Sequence, residues 1–263
     1  MKTGNGDNRL YGGDGDDEIT SGSGEDYIRP GAGADTVDGG EDGGDGDRAT
    51  YWRTDGAVQV DLTAGTAAGG AAEGDVLINI EDVSGGRADD FLIGDENNNS
   101  FLGHEGNDTI RTLGGDDYVR GNLGADDLDG GEGLRDRISY WKSEEAVTVD
   151  FTNNANNKGG EAEGDVLTGF EDLSGSNFGD SLSGDDNDNR IAGHDGSDTI
   201  RGGGGDDFIR GDAGADDIDG GDGDNDIASY YRSDEGVWVR LEILGTDGND
   251  PKNQRGRPWS CRR

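Results

Sequence analysis

The 263-residue chain has little of what an ordinary packed core needs: 29% of it is hydrophobic, 6% aromatic, and its mean hydropathy is -0.88. Basic residues are scarce, with 22 Lys+Arg against 60 Asp+Glu and a formal net charge of -38. Nucleic acids and anionic membrane surfaces need clustered Lys and Arg, so both are excluded as partners. The longest apolar runs, such as Val76-Leu77-Ile78, fall far short of the roughly 18 residues of a membrane span, so no transmembrane segment is expected. The opening MKTGNGDNRL lacks the apolar stretch of a cleaved signal peptide. The single cysteine, Cys261, has no internal disulfide partner. Only three prolines occur, which removes the Pro-rich signature of many disordered chains. Glycine, in contrast, fills 53 positions, and the surplus carboxylates suit a hard cation such as Ca²⁺, which takes oxygen ligands.

The chain repeats itself at two nested periods. GHEGNDTIRTLGGDDYVRGNLGADDLDGG from Gly103 returns as GHDGSDTIRGGGGDDFIRGDAGADDIDGG from Gly193, and EGDVLINIEDVSG from Glu73 returns as EGDVLTGFEDLSG from Glu163. A third element, TYWRTDGAVQVDL from Thr50, recurs from Ser139 and Ser229. The organisation read from this is a first array over 3–38, a spacer over 39–84, a second array over 85–129 and a spacer over 130–174. A third array over 175–219, a truncated spacer over 220–241 and an atypical basic tail over 242–263 follow.

Inside the arrays the period is nine. Position 8 is always apolar: Leu10, Ile19, Ile28, Val37, Leu92, Phe101, Ile110, Val119, Leu128, Leu182, Ile191, Ile200, Ile209 and Ile218. One apolar residue flanked by polar ones predicts a three-residue strand with its centre facing inward, since a helix would need several per nine. Position 6 always carries a side-chain oxygen: Asn8, Asp17, Asp26, Asp35, Asp90, Asn99, Asp108, Asp117, Asp126, Asp180, Asn189, Asp198, Asp207 and Asp216. Positions 1, 2 and 4 lean to glycine, which supplies left-handed turn conformations. Two nonapeptides then close one coil of a right-handed parallel roll, and equivalent turns 18 residues apart stack at roughly 4.8 Å. Stacked carboxylates at that spacing repel unless a cation lies between them.

GGxGxDxUx in tandem, with U a large apolar residue, resembles the haemolysin-type calcium-binding nonapeptide of RTX proteins. Residues 12–20 and 202–210 match it at every fixed position. The resemblance implies an all-β protein of three parallel β-roll (β-solenoid) arrays separated by β-rich spacers. It further implies that each Ca²⁺ sits between turns i and i+2, held by the position-6 residues and by carbonyls of the turn glycines. Those glycines are Gly12, Gly13, Gly15, Gly103, Gly106, Gly121, Gly124, Gly193, Gly196, Gly202, Gly203, Gly205, Gly211 and Gly214. Counting i, i+2 pairs gives at most about eight ions. Similar repeats belong to secreted bacterial proteins exported without a cleaved N-terminal signal, so an extracellular site of action is implied.

Departures from the pattern carry expectations of their own. Position 4 is Ala88, Asn97, Phe178 or Asn187 in the first two repeats of the second and third arrays, and Asn visits the left-handed region readily while Phe does not. With Asn8, Asn99 and Asn189 as neutral ligands, the upstream coils of the second and third arrays are expected to bind weakly or to act as caps. The firmest ions are expected at Asp17/Asp35, Asp108/Asp126 and Asp198/Asp216.

His104 and His194 are equivalent positions 90 residues apart, and repeat inheritance explains them better than zinc. Glu144/Glu145 and Glu171/Asp172 have no nucleophile or base nearby in sequence, so the chain is read as a non-enzyme. Alternation at Val58, Val60 and Leu62, at Val147, Val149 and Phe151, and at Val237, Val239 and Leu241 predicts spacer strands longer than those of the roll. Tyr51-Trp52, Tyr140-Trp141 and Tyr230-Tyr231 are expected to cap the array ends, with sugar stacking as the alternative role. Two functional readings from other classes stay open: a calcium-dependent carbohydrate-binding module of a polysaccharide-modifying enzyme, and an adhesin or surface-layer segment with protein partners. The tail from Glu242, with two prolines and the lone cysteine, carries no recognisable export signal.

Overall fold

The computed structural model describes residues 1–40 and 46–230, and among them the chain is an all-β solenoid of parallel strands. Two compact units divide it: Met1–Ile138 with Gly164–Phe170, and Ser139–Glu163 with the chain from Glu171 onward. Tyr231, the alternating residues Val237, Val239 and Leu241, and the basic tail with Cys261 lie outside the described residues.

Each nonapeptide places its position-8 residue second in a strand, and strands of the same array stack with an 18-residue register. In the first unit one sheet aligns Leu10 with Ile28, Ile28 with Ala49, Ala49 with Val83, Val83 with Phe101, Phe101 with Val119 and Val119 with Ile138. The opposite sheet aligns Ile19 with Val37 and Leu77, and Val60 with Leu92, Ile110, Leu128 and Leu167. In the second unit the ladders are Leu173, Ile191, Ile209 and Ala228 on one side and Val149, Leu182, Ile200 and Ile218 on the other. Every position-8 side chain is buried except Ile218, which is half-buried. Burying one such side chain stabilises by about 1.5–3 kcal/mol, so the core is thin but continuous.

Spacer strands join these sheets rather than interrupting them. Arg48–Thr50 pairs with Tyr27–Ala32 on one side and Asp82–Ser84 on the other, in parallel. Gln59–Asp61, Thr66–Ala68 and Val76–Ile78 form a short antiparallel insert within the otherwise parallel sheet. The expected longer spacer strands are not found: Gln59–Asp61 and Thr148–Asp150 each span three residues, whereas several array strands, expected to be three residues long, run to six, as at Arg9–Asp14 and Ser100–Glu105. Val58, Val60, Val147 and Val149 are buried as alternation requires, but the chain turns at Thr63 and Thr152, where side-chain oxygens of Asp61 and Asp150 capture the following amides.

Expected edge-capping by aromatics is also corrected. Tyr51 is buried directly after a strand that has hydrogen-bonded neighbours on both sides, so no open edge exists there for it to cover. Tyr140 is likewise buried, whereas Trp141 is exposed with the Lys142 ammonium 3.9 Å from its ring centre.

Candidate metal centre

The turns on the two flanks of each coil place the position-6 residues in register. The aspartates at this position from Asp26 onward reach back one coil, and each accepts the backbone N–H of the residue stacked before it through one oxygen. In the first unit, Asn8 N–H donates to Asp26 Oδ1 at 2.7 Å, Asp17 to Asp35 at 2.8 Å, Asn99 to Asp117 at 2.7 Å, and Asp108 to Asp126 at 2.8 Å. In the second unit Asp180 N–H donates to Asp198 at 2.9 Å, Asn189 to Asp207 at 2.8 Å, and Asp198 to Asp216 at 3.1 Å. Each of the three pairs singled out from sequence, Asp17/Asp35, Asp108/Asp126 and Asp198/Asp216, is therefore two consecutive rungs of such a ladder.

The second oxygen behaves differently. Oδ2 of Asp17, Asp35, Asp108, Asp198 and Asp207 is buried and meets no hydrogen-bond donor. Asp35, Asp108, Asp198 and Asp207 are each 1% exposed, so water does not satisfy these atoms either. Burial, and then the neighbouring carboxylates, push Asp108 up to about 8 and Asp198 and Asp207 to about 7, against an ordinary 3.8. Burial likewise raises Asp90 and Asp117 to about 6, and moves Asp35, Asp180 and Asp216 upward. Ionising Asp35, Asp108, Asp198 and Asp207 inside the fold therefore carries a desolvation cost that no hydrogen-bond donor among the described residues offsets at Oδ2.

The turn glycines serve two different needs. Position 1 lies against the carboxylate: a Cβ at Gly12, Gly103, Gly121, Gly193, Gly202 or Gly211 would strike the Asp oxygen of its own repeat. Gly13, Gly15, Gly106, Gly124, Gly196, Gly203, Gly205 and Gly214 instead take positive φ. A Cβ at Gly33, Gly124 or Gly214 would strike the carbonyl of Gly15, Gly106 or Gly196 in the preceding coil, so backbone oxygens line the seam between coils beside the carboxylates. Among the described residues no three His, Cys, Asp or Glu side chains converge as a metal-binding cluster. The donor set offered is one or two carboxylates with backbone carbonyls, all hard oxygens, which suits Ca²⁺ rather than zinc.

Position 4 does not take the left-handed conformation in the turns that lack glycine there, even where asparagine could adopt it. Ala88, Asn97, Phe178 and Asn187 all keep negative φ, and the non-glycine residues with positive φ inside the arrays are instead at position 2: His104, Leu113, Asn122, His194 and Asp212. His104 is half-buried near Trp52, with ring centres 6.5 Å apart, and Nε2 of His194 lies 2.6 Å from Ser174 Oγ.

The ladder also contains residues that counting nonapeptides overlooks. Asp26 N–H donates to Asp47 Oδ1 at 2.8 Å, Asp35 N–H to Asp75 at 2.8 Å, Asp117 N–H to Asp136 at 2.8 Å and Asp126 N–H to Asp165 at 2.9 Å. Asp47 N–H in turn donates to Glu81 Oε2 at 2.9 Å, and in the second unit Asp207 N–H donates to Asp226 at 3.0 Å. The signal was present: Asp47-Arg-Ala-Thr, Asp75-Val-Leu-Ile, Asp136-Arg-Ile-Ser and Asp165-Val-Leu-Thr all repeat the Asp-x-apolar-x tetrad of the arrays without its glycine turn. At Val58 and Val147 the carboxylate is missing, yet their amides still donate to Asp90 and Asp180, each at 2.8 Å.

The model of the RTX calcium-binding nonapeptide repeat, built from four copies of the motif, matches residues 2–37, 79–110, 102–133, 165–200, 174–209 and 193–227, more than half of the chain. No curated protein matches the chain. The matched segments run through spacer residues such as Glu81, Asp165 and Asp226 as well as the arrays.

Proposed function

The chain belongs to the RTX calcium-binding nonapeptide repeat family, and from that premise we propose that it is an extracellular, non-catalytic β-roll that folds as its carboxylate ladder takes up Ca²⁺. The observation that carries this reading is the asymmetry of Asp35, Asp108, Asp198 and Asp207: Oδ1 holds the amide of the preceding coil while Oδ2 is buried without a donor. A bound divalent cation supplies the positive charge that these oxygens lack.

The chain's own part follows from the ladder. Before folding, the carboxylates repel one another, and one buried aliphatic side chain per nine residues does not offset the backbone entropy of ordering them. Once neutralised, each Asp docks its coil on the previous one through the Oδ1 bond, and the Ile, Leu and Val ladder closes beneath it. The firmest sites are assigned to Asp17/Asp35, Asp108/Asp126 and Asp198/Asp216, with the total at most about eight ions. Extracellular calcium modules work at about 10⁻⁴ to 10⁻³ M, which matches a chain that stays unfolded in the low calcium of a cytosol and folds after export.

Circular dichroism with and without millimolar Ca²⁺ tests this. The expected result is a coil spectrum in chelator that becomes a β spectrum on adding the ion. A coil that persists in calcium, or a β spectrum that survives chelator at neutral pH, overturns it.

A second reading, a calcium-dependent carbohydrate-binding module, is favoured by one feature of the first unit. An open cleft of about 590 Å³ is lined by Tyr11, Arg29, Tyr51, Arg53 and Thr54, with Tyr11 more than half exposed. Aromatic faces and guanidinium groups suit sugar rings and their acidic substituents. Calcium-dependent retardation in polysaccharide-containing gels, abolished by Tyr11→Ala, is the result this reading requires.

A further inference from the structure

The turns of the second and third arrays fall into two conformations. In the open form, positions 2 and 4 both have positive φ, as at His104 (85°) with Gly106 (119°) and at His194 (75°) with Gly196 (139°). Oδ2 of the following Asp108 or Asp198 is then buried without a donor. In the closed form neither position has positive φ, and the position-2 amide turns inward to the position-6 oxygen of its own repeat. Ser176 N–H donates to Asp180 Oδ2 at 2.7 Å, Asp185 N–H to Asn189 Oδ1 at 2.8 Å, and Asp95 N–H to Asn99 Oδ1 at 2.9 Å. Gly86 N–H donates to Asp90 Oδ2 in the same way.

Closed turns contribute further donors of their own. The Ser176 hydroxyl donates to Asp180 Oδ1 at 2.7 Å. The side-chain amides of Asn99 and Asn189 donate to the carbonyls of Glu81 and Glu171 in the preceding coil, at 2.9 Å and 3.3 Å. Aspartate cannot make that last bond, because an ionised carboxylate only accepts. An N–H directed at a carboxylate oxygen claims the lone pair that a calcium ion would approach at about 2.3–2.6 Å, and it supplies part of the positive charge the ion would bring.

We propose that the four closed turns, residues 85–93, 94–102, 175–183 and 184–192, are ion-free. The first coil of each of these two arrays is fastened by the protein's own donors, and calcium enters only at the open turns that follow. This rests on the calcium reading above and sharpens it: Asp90, Asp180, Asn99 and Asn189 leave the ligand set, and each array gains a starter coil on which ion-dependent coils stack. Phe178, which does not tolerate a left-handed turn, occupies position 4 of a closed turn, where none is needed.

The test compares Asp180→Asn, in a closed turn, with Asp198→Asn, in an open one, in the full chain. Bound calcium is counted by native mass spectrometry and equilibrium dialysis at saturating Ca²⁺. The expected result is an unchanged ion count for Asp180→Asn and the loss of an ion for Asp198→Asn. Loss of an ion from Asp180→Asn, or from neither variant, overturns the proposal. If Asp198→Asn no longer gives a β spectrum in calcium, Asp207→Asn serves as the open-turn member. A wild-type chain that takes up no calcium would instead sink the calcium reading itself, so the two failures are distinguishable.

Discussion

The phenol of Tyr51 donates a hydrogen bond to Oδ2 of Asp75 at 2.9 Å, and both residues are buried. Asp75 is a rung of the ladder, since its Oδ1 accepts the amide of Asp35. A side chain four residues beyond Asp47 thus occupies the oxygen that is bare in Asp35 and Asp17. Tyr51→Phe leaves that oxygen buried and unsatisfied, which costs about 1–3 kcal/mol. Urea unfolding at saturating calcium should show a loss of that size with an unchanged m-value. A variant as stable as wild type would mean that Asp75 finds another partner.

Burial sets the sign of the pH response. Asp108 is raised to about 8 and Asp198 and Asp207 to about 7 in the folded chain, all from an ordinary 3.8. A carboxyl raised by folding binds its proton more tightly in the folded state. Its contribution to stability is therefore fully present below about 3.8 and is lost as pH rises through about 7 to 8. The calcium-free chain should accordingly gain β structure on acidification to about pH 3.5, with protons doing what the cation does at neutral pH. Circular dichroism in chelator across pH 3 to 8 measures it; a coil spectrum throughout contradicts the prediction.

Much of this was legible in the sequence because the chemistry repeats. The nine-residue spacing of Ile110, Val119 and Leu128 fixes the strand centres, and Asp108, Asp117 and Asp126 mark the ladder two places earlier. Less legible was the spacer. Asp47, Asp75, Asp136 and Asp165 keep the Asp-x-apolar-x tetrad but reach it through turns of other lengths, so a nine-residue count passes over them. Alternation at Val58, Val60 and Leu62 suggested a longer strand, since period two records which face is buried but not where pairing stops. The closed turns were hidden for a further reason. Whether the amide of Ser176 or Asp185 points at a carboxylate depends on backbone torsions that neither residue type dictates.

Gly121 at position 1 and Gly4 at position 2 of their repeats offer a contrast. At Gly121 a Cβ would collide with the carboxylate of Asp126, whereas at Gly4 it meets nothing within 4 Å and φ is ordinary. Gly121→Ala should lower calcium affinity about tenfold or more, because the Asp126 carboxylate must move, and should also lower the melting temperature in calcium. Gly4→Ala should be neutral or stabilise by about 0.4–1 kcal/mol through reduced freedom of the unfolded chain. Isothermal titration and thermal melts on the pair decide it, and equal effects at both positions would remove the assigned role of Gly121.

Leu113 is the least comfortable residue in the second array. It has φ of 77° at position 2, its side chain is partly exposed, and the turn around it gains nothing visible from a branched aliphatic group. The left-handed conformation costs an L-residue roughly 1–2 kcal/mol, a penalty absent for glycine, which holds the equivalent position at Gly13 and Gly203 with φ of 112° and 116°. Against this, glycine adds about 0.5–1 kcal/mol of unfolded-chain entropy. The difference favours the substitution, so Leu113→Gly should stabilise the calcium-loaded protein by up to about 1.5 kcal/mol, with the ion count unchanged. Denaturant midpoints for the two proteins at the same calcium concentration are the measurement. A destabilised Leu113→Gly would show that the Leu113 side chain makes a contact worth more than the strain it bears.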